Sequence, residues 1–368
     1  MAIRPSGRFL LIVTLACAGL KARAADHFPW STIASRPDGW YRSPEGLEKI
    51  ANVLSHQAEL GGWPKNVDTS AARFEGDRAS IKGTFDNGAT TGEVRFLAKA
   101  FRATGNERCR SAVEKAIDHI LTAQYSNGGW PQFHPPGKSY HRYITFNDDT
   151  MVKLLELMRD VARSSDFDFL DRARRDSARS AFDKGIRCIV RCQVKVNGRP
   201  TVWCAQHDEK TLEPRGGRTF ELVSLSGSES AGILILLMSL DRPDADVERA
   251  IEAGVEWFEA AGLTGIKLDR SSGDLKVVHD ADAPTLWPRF VEIETGRAIF
   301  ASRDGIARYD ISEIDAERRN GYAWYGTWGR RVAERYKQWK RRAPSSSKSQ
   351  GATCATPDRS IQIPVNFI

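Results

Sequence analysis

The sequence predicts a mainly α-helical chain, an α/α toroid of three helical hairpins with minor β-strands. Two observations carry this expectation. The first is a repeat of long period. "LSHQAELGGWPKN" (54–66) matches "LTAQYSNGGWPQF" (121–133), with Leu-x-x-Gln and Gly-Gly-Trp-Pro in register, and "IVRCQVKVNGRPTVWCAQ" (189–206) is a weaker copy. Gln57 and Gln124 are 67 residues apart, Gln124 and Gln193 are 69 apart, and a period of this length filled with helical pattern predicts stacked hairpins. The second is helical spacing of apolar residues in the stretches between the copies.

Element by element, each repeat predicts an outer helix, a Gly-Gly-Trp-Pro turn, a long loop and an inner helix. "TTGEVRFLAKAFRAT" places Val94, Leu97, Ala98 and Phe101 on one helical face, and "DTMVKLLELMRDVA" does the same with Met151, Leu154, Leu155, Met158 and Val161. "AGILILLMSL" is apolar on almost every side and is therefore expected at the centre. "CRSAVEKAIDHILTAQ" and "RSAFDKGIRCIVRCQ" are amphipathic and predict outer partners. Strand signals are confined mostly to "LKVVHD" and "RAIFASRD". In such a toroid the inner helices start on one side, so a site is expected in the cleft they surround.

The chain ends differ from the core. Arg4 and Arg8, the apolar run "FLLIVTLACAGL" and Ala22-Arg23-Ala24 have the form of a secretory signal peptide over 1–24, which predicts a periplasmic or secreted protein. No later segment reaches transmembrane length. A domain is expected over 25–338, followed by a flexible tail over 339–368 rich in Ser, Pro and basic residues. The net charge of +7 does not describe the core: the signal peptide and the tail each carry about +4, leaving about −1 between them. No nucleic-acid partner is expected. Cys188, Cys192, Cys204 and His207 have a spacing compatible with zinc, but in an exported protein a disulfide or buried thiols are favoured.

Chemistry gathers at the three inner-helix starts. "TFDNGATT" carries Asp86 and Asn87, and "ITFNDDTM" carries Asn147, Asp148 and Asp149. One cap needs one such residue, and these are clusters. Carboxylates converging from neighbouring helices predict a hard-cation site, calcium first, although an acid/base pair for hydrolysis fits the same pattern. The third start, "PRGGRTFELVSLSGSES" (214–230), sets Arg215 and Arg218 where the others have acids. Arg215 is expected in a salt bridge with Glu213 or Glu221. Arg289 and Arg303 flank an expected hairpin in a Trp- and Phe-rich stretch and suit bidentate grip on carboxylates.

"GGWPQF", "ITFNDDTM", "VWCAQHDEKTLEP", "RTFELVSLSGSES", "LWPRF", "IFASRDG" and "ERRNGYAWYGTW", in that order over residues 43–330, resemble the family 10 polysaccharide lyases. These are pectate lyases built on an incomplete (α/α) toroid. The resemblance implies calcium-assisted β-elimination of polygalacturonate, with 4,5-unsaturated products; a monomer is expected. It implies Arg218 as general base, Asp86 and Asp148 at the metal and substrate carboxylate, and Arg289 and Arg303 on the substrate; from the clusters themselves Asn87 is expected on the substrate and Asp149 at the metal. An arginine base must be neutral when it acts, against a pKa above ~12. Calcium, Arg289 and Arg303 are expected to depress it, and an alkaline optimum follows. The chain departs from the family pattern at Val291, where the family has Tyr, and at Asp149, where it has Asn. The competing expectations are a glycoside hydrolase using the aspartates and a non-catalytic pectin-binding protein.

Overall fold

The computed structural model describes residues 27–342, so the expected signal peptide and nearly all of the expected tail lie outside the described residues. Eight long helices make two layers: α1 (Pro44–Ser55), α2 (Thr91–Thr104), α3 (Glu107–Ala123), α4 (Thr150–Arg163), α5 (Arg172–Cys192), α6 (Gly227–Leu237), α7 (Ala245–Ala260) and α8 (Trp328–Arg342). The last of these carries ordered structure four residues past the expected domain end at 338. Helices α1, α3, α5 and α7 pack side by side as an outer layer, and α2, α4 and α6 form the inner layer, with α8 against α6 and α7. The tight hairpins run inner to outer, as α2–α3, α4–α5 and α6–α7. They are the same three units that the sequence predicts, divided at a different point.

The repeat has a mechanical reason. Each outer helix is closed by its Gln, which donates to the backbone of the next outer helix: Gln57 to Ala112 O at 2.8 Å, Gln124 to Ala181 O at 2.9 Å and Gln193 to Ala250 O at 2.9 Å. The first glycine of each Gly-Gly turn has positive φ (Gly61 +117°, Gly128 +100°) and lies against the Lys115 or Lys184 carbonyl of that next helix, where no Cβ fits. Each following Trp then caps its own outer helix, with indole N–H to Val53, Ile120 and Ile189 O at 2.7–2.9 Å from Trp63, Trp130 and Trp203. A fourth tryptophan, Trp287, makes the same bond to Phe258 O of α7 at 2.8 Å. There the Gln position is Ala261: among the described residues α7 is the last outer helix, and no further outer helix follows it to be tied. The ties predict that Gln57→Leu, which strands two buried carbonyls, costs about 1–3 kcal/mol in urea unfolding. An unchanged midpoint would deny them any structural weight.

Strands are short, and some pair far along the chain. Ile266–Asp269 pairs with Lys276–His279, and Phe300–Ala301 with Ala307–Arg308, matching the two expected regions. Phe290–Val291 pairs with Leu225–Ser226, which fastens the Arg289 segment to the start of α6. A second apolar cluster, with Phe220, Phe290, Phe300 and Trp324, underlies this region apart from the helical core. None of the described helices is long and apolar enough to cross a membrane.

Candidate active site

All four outer helices carry a side-chain N-cap, from Ser43, Asn106, Asp171 and Asp244. None of α2, α4 and α6 has one. The acidic clusters at the inner starts are therefore not consumed in capping, and three uncapped N-termini leave positive ends on one side of the inner layer. The backbone there is held in turns that few residues adopt: φ is +54° at Asn87, +52° at Asp148 and +59° at Asp149, a left-handed conformation that Asn and Asp tolerate best.

The turns at 86–88 and 147–149 pack against each other. Asp86 is buried and ion-paired to Lys65, and its Oδ1 accepts from Asn87 N at 3.0 Å. Asp148 accepts from Asn147 Nδ2 at 2.7 Å and lies 3.5 Å from Arg289 Nη2. Arg289 is itself buried in an ion pair with Glu229 of α6, under the ring of Tyr322 at 4.8 Å. Burial works to lower the Arg289 pKa, but Glu229, Tyr322 and Asp148 outweigh it and hold the guanidinium charged.

Arg218 stands on the half-exposed turn above, its Nη2 2.5 Å from Glu221 Oε1 while Glu221 Oε2 accepts from Arg218 N at 2.9 Å. Tyr322 donates to the same Glu221 Oε1 at 2.8 Å. Burial works to lower the Arg218 pKa, but the hydrogen bond and charge of Glu221 prevail, and the group is raised above its ordinary value. Of the groups expected to depress it, neither Arg289 nor Arg303 is among the leading influences, and the closest charge is the Glu221 anion. Phe220 forms a platform with Arg218, Arg303 and Arg318 guanidiniums at 4.9, 5.9 and 4.6 Å from its ring. Arg303 occupies the turn of its hairpin and is exposed, bound to Glu317 at 2.9 Å. Arg215 pairs with Asp208 at 3.1 Å and with Glu213 at 3.7 Å, and Glu221 is left to Arg218.

Among the described residues no three His, Cys, Asp or Glu side chains come together as a metal-binding group. The expected trio of Asp86, Asp148 and Asp149 is thus not a ready-made cage. Asp149 lies with Oδ1 against Gly232 of α6, where an added Cβ would overlap it, and burial pushes its carboxyl up to about 6. What remains is oxygen chemistry on two packed turns: Asp86, Asp148 and the side-chain carbonyl of Asn147, which is buried without a hydrogen-bond partner. An orphaned acceptor beside two carboxylates fits a hard cation whose shell is completed by substrate or water.

Several groups were not singled out from sequence. Glu229, Lys65, Tyr322 and Arg318 are set by contacts far along the chain, and only the clustering of Glu and Arg within the quoted motifs pointed their way. Val291 is buried in the main core, on the strand that pairs with Leu225–Ser226 at the start of α6. The four described cysteines are buried free thiols. His207 uses both ring nitrogens on backbone, toward Leu212 O at 2.8 Å and Cys204 N at 3.2 Å, and burial pushes its pKa down to about 4. Glu93, in the first turn of α2, is fully buried, and desolvation pushes its carboxyl from 4.5 up to about 7. A raised carboxyl stabilises the fold fully below its unfolded pKa and loses that contribution as pH rises through about 7. Stability should therefore fall by a few kcal/mol, as an order of magnitude, between about pH 4.5 and 7, and Glu93→Gln should flatten that fall. An equal slope in both proteins would contradict it.

Helical layers with cationic and carboxylate groups gathered at the inner-helix starts are compatible with a polysaccharide-cleaving enzyme, lyase or hydrolase, and comparison with known proteins decides for the lyases. The family model described as pectic acid lyase matches residues 57–333. Among solved structures, the family 10 polysaccharide lyase from Cellvibrio cellulosa is 36% identical with a TM-score of 0.75, covering 85% of this chain and 96% of its own. An aspartate-to-alanine mutant of the Cellvibrio cellulosa enzyme in complex with trigalacturonic acid gives 36% identity and a TM-score of 0.74, covering 84% and 97%. No curated protein matches. The chain belongs to the pectic acid lyase family, polysaccharide lyase family 10, and is a pectate lyase.

Proposed function

We propose that the enzyme cleaves α-1,4-linked polygalacturonate by β-elimination, with Arg218 as the base and calcium held by Asp86 and Asp148 with Asn147. The observation that carries this reading is the placement of Arg218 on a half-exposed turn over the Phe220 platform, beside the charged Arg289–Asp148–Glu229 group. Trigalacturonic acid bound to the Cellvibrio relative supports the substrate class.

The C5 proton of a galacturonate lies α to a carboxylate, so its removal loads charge onto a group that is already negative. Arg289 and Arg303 bind and orient that carboxylate, and Arg289 cannot retreat because Glu229 fixes it. Calcium, when bound, neutralises the carboxylate and acidifies C5. Neutral Arg218 takes the C5 proton, the electron pair forms the C4–C5 double bond, and the C4–O bond breaks, with the leaving oxygen protonated from solvent. Glu221 sets the cost of this route: it stabilises the protonated guanidinium, so Arg218 must lose a proton against that pull. The N-terminal pattern supports action in the periplasm or medium, where the polymer is encountered.

The rate is expected to climb with pH well into the alkaline range and to vanish on chelation, with calcium restoring it. A maximum in mildly acidic buffer would overturn Arg218 as base, and full activity in chelator would overturn the metal.

A further inference from the structure

Beside the Asp86 turn a cavity of about 550 Å³ opens between the first and second Gly-Gly-Trp-Pro turns, lined among others by Arg78, Lys82, His119, Phe133, His134 and His141. Its size is that of a small-molecule site, and it includes none of Arg218, Arg289 or Asp148. Arg78 is anchored by one nitrogen to Gln57 O at 2.8 Å, the outer-layer tie, which fixes the stem and leaves its other N–H groups to the cavity. Lys82 is exposed on the same rim, and neither cation has an ion-pair partner among the described residues. The single acid of the lining is Glu59, which is exposed. The wall is aromatic: His119 meets His134 at 5.5 Å, Phe133 meets His141 at 5.1 Å, and Tyr140 covers His141 at 4.1 Å on the side of the cleft.

Two unpaired cations over aromatic and imidazole walls are the complement of a sugar acid, whose carboxylate seeks the cations and whose C–H face seeks the rings. Burial lowers the pKa values of all three histidines, His119 to about 4, so at the pH of catalysis they act as neutral hydrogen-bonding groups for hydroxyls. Arg218, Glu221, Lys65 and Asp86 all act electrostatically on Tyr140, which packs on His141 of the cavity wall, so the two sites are neighbours. We propose that this cavity is an outer uronate subsite, holding a galacturonate unit of a long chain whose scissile bond lies in the cleft. The proposal rests on the polygalacturonate reading above. It assigns Arg78 and Lys82 to chain-length preference and gives them no part in the chemical step.

The test is the double variant Arg78→Ala/Lys82→Ala, with Lys82→Glu alone as the milder probe that leaves the Gln57 contact intact. Expected is an approximately tenfold rise in KM for polygalacturonate, with kcat and the KM for trigalacturonate unchanged, as for loss of binding shared by ground and transition states. Equal effects on polymer and trimer, or none on either, would overturn the subsite. Calorimetry with a galacturonate hexamer separates this from failure of the catalytic reading. Hexamer binding weakened by the substitutions supports the subsite even in an enzyme without elimination activity, and unchanged hexamer binding overturns it.

Discussion

Arg218→Ala is expected to lower β-elimination of polygalacturonate by about 10²- to 10⁴-fold, the span that general acid–base groups supply. The fold should survive. Arg218 is half-exposed, and its partner Glu221 keeps the backbone N–H of residue 218 and the Tyr322 hydroxyl as donors in the variant. Circular dichroism should therefore match the parent, the urea midpoint should drop only modestly because Glu221 is buried but keeps two donors, and the loss of activity should fall on kcat. Arg218→Lys separates charge from geometry. It retains a cation but loses the planar fork that spans Glu221 and the Phe220 ring, so most of the activity should still be lost. An Arg218→Ala enzyme with more than a tenth of parental kcat would remove Arg218 from the reaction.

The second large effect concerns stability. Arg289 and Glu229 form a buried ion pair, with side chains 8% and 1% exposed. Removing one partner strands the other charge, so Glu229→Leu should cost about 3–5 kcal/mol in urea unfolding. Arg289→Met should cost a similar amount. The double variant should lose far less than the sum, because no charge then remains unpaired. Activity separates the two roles: the double variant can be stable and should still be inactive, since the proposed grip of Arg289 on the substrate carboxylate has gone. Additive losses would mean that the pair is not coupled and that Arg289 is held by other contacts.

Local chemistry made much of this legible in the sequence. Gln57, Gln124 and Gln193 with their tryptophans declare the period because each repeat has to tie itself to the next. The clusters at 86–87 and 147–149 declare the cleft because an inner helix needs no such excess to start. Distance along the chain hid the rest. Trp287 does the work of Trp130 without the Gln that would have marked it, because α7 is the last outer helix. The Arg289–Glu229 pair joins residues 60 positions apart, and Tyr322 reaches Glu221 across 101. Asp149 sits in the acidic cluster by sequence, yet α6 offers it a glycine to lie against, and no local pattern reveals that choice.

The most direct measurement is the product of polygalacturonate cleavage by the purified enzyme at alkaline pH with calcium. Ultraviolet absorbance and reducing ends should be followed together. The account predicts that the two rise in parallel, one unsaturated uronide for each new reducing end, and that Arg218→Ala and chelator each abolish both signals. Reducing ends growing without absorbance would mean hydrolysis, and the aspartates at the inner-helix starts would replace Arg218 at the centre of the mechanism.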